Sequence, residues 1–122
     1  LQMESSNKEV DISGTFYEIR PGEKRISYLG LRNIKDKETK FIINGLKADS
    51  FSKDSTNCGI DQQGSKVIIE YEKSEITLQS KETKVLPLVL RVAKDAKKDT
   101  CIYTIFISHG SEDKVEFTIN IR

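Results

Sequence analysis

Cys101-Ile102-Tyr103-Thr104-Ile105-Phe106-Ile107-Ser108 and Val115-Glu116-Phe117-Thr118-Ile119-Asn120-Ile121 decide the fold. In the first stretch Cys101, Tyr103, Ile105 and Ile107 share one face, and Ile102, Thr104 and Phe106 the other. Successive side chains of a strand point to opposite sides of a sheet, so this reads as a central, largely buried strand. The second stretch alternates more cleanly: Val115, Phe117, Ile119 and Ile121 face a core, and Glu116, Thr118 and Asn120 face water. Between them Ser108-His109-Gly110-Ser111-Glu112-Asp113 has the composition of a hairpin loop.

Working outward, the same period recurs. Leu86, Leu88, Leu90 and Val92 alternate with Val85, Pro87, Val89 and Arg91, which predicts a strand buried on much of both faces. Pro87 cannot donate to a ladder, which places it at an edge or a bulge. Val67, Ile69 and Tyr71 form another alternating run, and Ile76 and Leu78 a short one before the turn Gln79 to Glu82. Phe41 to Ile43 reads as a short strand stopped by Asn44-Gly45, a turn signal. Ile26 to Leu31 forms a strand ending at Asn33, followed by the charged turn Lys35 to Glu38. Arg20-Pro21-Gly22-Glu23 is a turn, with Pro presetting φ and Gly accepting positive φ. Val10, Ile12, Phe16 and Ile19 outline a first strand interrupted near Gly14, where a bulge or a switch between sheets is expected. Val92 to Lys98 is the best helical candidate, but it is short and charged and reads as a loop.

Seven to eight short strands with turns about every ten residues define an all-β chain, an antiparallel immunoglobulin-like β-sandwich. The 122 residues fit one core. Residues 10–122 form the domain, and the polar start, 1–9, reads as a linker or tail to a missing upstream anchor. With 20 Lys plus Arg against 19 Asp plus Glu, the net charge of +1 excludes a dedicated nucleic-acid binder. Apolar stretches fall short of the roughly 18 residues that cross a bilayer, so a membrane enters only through that missing anchor.

Sites of chemistry are sparse. His109 is the only histidine and is expected to be exposed in its hairpin loop, flanked by Ser108 and Ser111 without triad geometry. Asp49, Asp54 and Asp61 lie in or near the long polar region Ser50 to Gly64 and lack the order of ligands of a calcium loop. Phosphate-cradling glycine motifs are absent. No catalytic residue, cofactor or metal is therefore expected. Cys58 and Cys101 are too far apart for a CxxC motif and too few for a zinc site. A structural disulfide or two buried thiols remain; the disulfide is the reading adopted, because it would pin the longest loop to the start of the most apolar strand. It implies an oxidising compartment.

Asp99-Thr100-Cys101-Ile102-Tyr103 resembles the tyrosine corner of immunoglobulin-like domains, which implies that Asp99 opens the strand and that Tyr103 ties the corner through its hydroxyl. The departure is Ile105, where antibody domains place a cysteine. The order Pro21-Gly22-Glu23, a strand ending Leu31-Arg32-Asn33, Ile76-Thr77-Leu78, Leu86 to Val92, the Tyr103 strand and a last strand resembles immunoglobulin-like domains of archaeal and bacterial surface proteins. In size and architecture the chain is similar to the extracytoplasmic domains of the archaellum stator. The resemblance implies a non-catalytic extracytoplasmic interaction or structural module, at the cell surface or in the pseudoperiplasm, within a filament, motor or envelope assembly. Its partner would be a protein, or a second copy joined through sheet edges. Two alternatives are a carbohydrate-binding or accessory domain of a secreted enzyme, presenting Tyr17 and Phe51, and a cytosolic sandwich of the sperm-protein type with free thiols.

Overall fold

The computed structural model describes residues 8–50, 58, 65–72 and 75–122. It is an all-β immunoglobulin-like sandwich. The strands are β1 (Val10–Ile12), β2 (Phe16–Ile19), β3 (Lys24–Arg32), β4 (Thr39–Ser50), β5 (Val67–Glu70), β6 (Glu75–Leu78), β7 (Thr83–Val92), β8 (Asp99–Ser108) and β9 (Glu112–Ile121). They form a four-stranded sheet in the order β1-β3-β7-β5 and a five-stranded sheet in the order β2-β9-β8-β4-β6. Inward residues of both sheets, among them Leu29, Leu31, Phe41, Leu88, Leu90, Tyr103, Ile105, Phe117 and Ile119, meet in one core with at most 1% exposure.

Nine strands are described where seven to eight were expected, because the first strand divides in two. The interruption expected near Gly14 is a switch between sheets: β1 pairs with β3, and β2 crosses to β9. Glycine is needed there, since a Cβ at Gly14 would stand 2.5 Å from the Tyr17 hydroxyl. The crossing adds one parallel pairing to the antiparallel sandwich expected. Having changed sheets without reversing, the chain lays β2 parallel to β9, with Phe16 opposite Thr118 and Ile19 opposite Ile121. The Pro21-Gly22 turn is present, with Gly22 at φ 87° and the Glu23 amide donating to the Arg20 carbonyl at 3.0 Å.

Asn44-Gly45 does not stop a strand. β4 runs on to Ser50, and Asn44 is a bulge between the pairs Ile43–Ile107 and Gly45–Phe106. The extra residue inverts the alternation. Phe41 and Ile43 face the core before the bulge, and Leu46 and Ala48 lean on it after. Asn44 donates its side-chain amide to the Ser108 hydroxyl, which holds the bulge against β8.

Asn33, wholly buried at the end of β3, is a hub. Its amide donates to the carbonyls of Lys37 (2.7 Å), Leu78 (3.0 Å) and Gln79 (3.2 Å), and its side-chain oxygen accepts from the Lys35 amide at 3.0 Å. One side chain thus ties together the two connections, β3–β4 and β6–β7, at this end of the sandwich.

Candidate functional site

Three places gather chemistry: the cysteine pair, the surroundings of His109, and the outer face of the four-stranded sheet.

Cys58 and Cys101 are joined by a disulfide, their Cα atoms 5.4 Å apart. Cys101 points into the core from β8 with 0% exposure. The Asp99 carboxylate lies 3.7 Å from the Cys58 sulfur. These three residues form the one cluster of potential metal ligands among the described residues, but sulfurs bonded to each other offer no thiolate. Asp99 opens β8 and accepts from the Thr100 amide at 2.8 Å. The Tyr103 ring is fully buried and stacks on Phe117 with centroids 5.6 Å apart.

His109 is buried, at 3% exposure, not exposed as its loop position led one to expect. Its ring stacks on Phe41 at 5.2 Å, because the β8–β9 hairpin folds over the end of the core. Nε2 lies 3.3 Å from the Asp113 carboxylate and Nδ1 3.0 Å from Glu9 Oε2. The second contact is close but off the line of a hydrogen bond, and neither atom has another partner among the described residues. It is therefore a close contact rather than a hydrogen bond. The Glu9 carbonyl also accepts from the Arg32 amide at 2.8 Å, so the chain is already packed at this residue. Lys35 donates to the His109 carbonyl at 2.6 Å, and a Cβ at Gly110 would stand 2.8 Å from the same Nζ, which with φ 98° makes that position a glycine. Beside the imidazole opens a cleft of about 440 Å3 walled by Glu9, Asp11, Ser111, Asp113 and Lys114.

The arrangement clamps the start of β1 to the hairpin. The Ser108 hydroxyl beside it is engaged by Asn44 and by Glu112, at 3.2 Å from the latter. Asp49 is exposed on β4, whereas Asp54 and Asp61 lie outside the described residues. Of the aromatics expected to face a glycan, Tyr17 is half-buried and hydrogen-bonds Ser27, and Phe51 lies outside the described residues.

The third place was not anticipated. β7 was expected to be buried on much of both faces, but only Leu86, Leu88, Leu90 and Val92 are. The outward residues Val85, Pro87 and Val89 lie opposite Gly30, Tyr28 and Ile26 of β3. Ile26 is 51% exposed, Tyr28 45% and Val85 47%. Three consecutive cross-strand rows are thus apolar, with Ile26, Tyr28, Val85 and Pro87 exposed and Val89 half-buried. Pro87 sits as its chemistry requires. The Tyr28 amide and carbonyl both turn to Ser13, so Pro87 nitrogen faces away from β3, and the ladder to β5 spans only Val89 to Val92. At Pro87 the strand is locally an edge.

The sequence signal for this face was available. A strand apolar at both parities implies two covers, and the described residues supply one.

No family model and no curated protein matches the chain, whereas many solved structures share its fold. A family 123 glycoside hydrolase from Clostridium perfringens superposes with TM-score 0.61 at 7% identity, over 93% of this chain and 27% of that one. The α2-macroglobulin of E. coli gives 0.61 at 15%, over 93% and 7%. The ASH/PapD-like domain of human CEP192 gives 0.50 at 12%, over 93% and 84%. The chain therefore spans about a quarter of the hydrolase and most of the CEP192 domain. At such identities the likeness is one of fold: an immunoglobulin-like, PapD-like sandwich.

Proposed function

We infer that this chain is a non-catalytic protein-interaction module of an extracytoplasmic assembly. The observation that carries the reading is the apolar strip of exposed Ile26, Tyr28, Val85 and Pro87 with half-buried Val89, on two adjacent strands. Single exposed apolar residues are ordinary; a contiguous strip with a charged rim marks a docking face. The Cys58–Cys101 disulfide supports an oxidising setting, such as the cell surface, and a filament, motor or envelope component is the kind of assembly proposed.

Selection of a displayed peptide library on the immobilised, oxidised chain tests this reading. The expected result is enrichment of sequences whose binding is lost in the Tyr28→Glu/Val85→Lys double variant. Enrichment only of sequences that bind parent and variant alike, or of none, overturns it. Setting is tested separately: two alkylatable thiols in unreduced native protein would favour a cytosolic sandwich instead.

A further inference from the structure

Resting on that reading, we propose that the partner element docked on the strip is an amphipathic α-helix with carboxylates near both ends of its apolar stripe. The outward face of β3 and β7 is a sequence of five cross-strand rows: Lys24–Arg91, Ile26–Val89, Tyr28–Pro87, Gly30–Val85 and Arg32–Thr83. The middle three are apolar. Every charge on these two outward rows is positive. Lys24 and Arg91 stand directly opposite each other, a like-charge placement that disfavours the empty face. Glu70 of β5 engages Arg91, which leaves Lys24 without a carboxylate within ion-pair distance among the described residues. Among the described residues the Arg32 side chain, at the other end, reaches only the Thr83 hydroxyl, at 3.3 Å. The face is thus an apolar middle with a cation at each end.

Width and backbone chemistry choose the helix. The apolar region is two strands wide, because the flanking strands present Glu70 on one side and Asp11, opposite Gly30, on the other. Two strands with their side chains span roughly 10 Å, the diameter of one helix. A second sheet, including that of another copy, would cover four strands and have to bury Asp11 and the Glu70–Arg91 pair. The apolar rows, about 14 Å long and roughly 10 Å wide, cover on the order of 140 Å2, far short of the roughly 800 Å2 per partner that a stable dimer needs. The face of a sheet offers no free backbone groups, so an extended peptide laid there would leave its own amides unpaired, whereas a helix satisfies them internally. The rows repeat about every 6.8 Å, close to the roughly 6 Å between residues four apart on a helix. Lys24 and Arg32 are about 27 Å apart along β3, the length of about 18 helical residues.

The test is a titration of the 15N-labelled whole chain with two synthetic 18-residue helical peptides. Both carry a leucine stripe at four- and three-residue spacing; one has glutamates near its two ends and the other lysines. The expected result is amide shift changes at Ile26, Tyr28, Val85 and Val89 with the glutamate peptide. Binding should be about fivefold weaker for the lysine peptide, as two exposed charge contacts allow, and the preference should invert in Lys24→Glu/Arg32→Glu. The shifts should vanish in Tyr28→Glu/Val85→Lys. Equal binding of both peptides, changes mapping elsewhere, no changes at millimolar peptide, or concentration-dependent dimerisation through the strip each overturn the helix proposal. Library sequences that require the strip but are extended or basic would overturn it while leaving the interaction reading intact.

Discussion

The two sides of β7 are made of similar residues and have opposite fates. Leu86, Leu88 and Leu90 are at most 3% exposed, whereas Val85, one position away, is 47% exposed. The outer face of the five-stranded sheet shows what a solvent-facing surface of this domain otherwise looks like: Ile102 sits between Asp49 and Thr118, Thr104 between Lys47 and Glu116, and Phe106 between Gly45 and Lys114. There each large apolar residue has a polar or charged neighbour across the ladder. On the β3–β7 ribbon apolar residues face one another for three rows. Packing does not require this, since the core is complete beneath them. The difference separates residues that hold the fold from residues left for something outside it.

Changes on the covered side should be costly. The largest effect is expected from the bond made by inward-pointing Cys101. Cys58→Ser, or reductant added to the parent, should lower stability in urea unfolding by about 4 kcal/mol on the chain-entropy model. An unaltered midpoint would mean that the bond is dispensable. Next, Leu88→Ala should lose about 3 kcal/mol, through lost burial and the cavity left behind. Val85→Ala on the same strand should stay within about 0.5 kcal/mol, and equal losses at both would erase the comparison. His109→Leu should cost about 2 kcal/mol by leaving the Glu9 carboxylate buried without a polar neighbour, and Glu9→Gln in that background should recover part of it.

The exposed side should respond weakly. The Asp95 carboxyl is held below its ordinary value of 3.8, chiefly by the hydrogen bond from Lys66 at 2.6 Å. A depressed carboxyl contributes its stability above the unfolded value and loses it as pH falls through the folded one. Because Asp95 is solvent-exposed, the contact should show in an NMR titration and not in unfolding: its midpoint should rise toward the ordinary value in Lys66→Gln while the melting temperature stays put.

Much of this was legible in the sequence, and the misses have common causes. Alternation gave β8 and β9, and Pro21-Gly22 and Gly14 marked a turn and a crossing, because each of these signals is local. Asn44-Gly45 misled because a bulge and a turn ask for the same residues; the change of core parity, from Phe41 and Ile43 to Leu46 and Ala48, was the clue that the strand continued. His109 misled because loop position alone does not reveal that the hairpin folds onto Phe41 or that Glu9 and Asp113 converge there. The parallel β2–β9 pairing depends on which sheet edge is free, which no local pattern encodes. For β7 the sequence was right that two faces are apolar; that the described residues cover only one of them is the finding.

Thermal unfolding of the parent chain and of Tyr28→Glu/Val85→Lys, each with and without a library-selected binder, tests the docking face most directly. The account predicts that the two proteins unfold within a few degrees of each other when free, and that the binder raises the midpoint of the parent alone. A variant that unfolds far below the parent, or one stabilised by the binder as much as the parent is, would show that the strip serves the fold and not a partner.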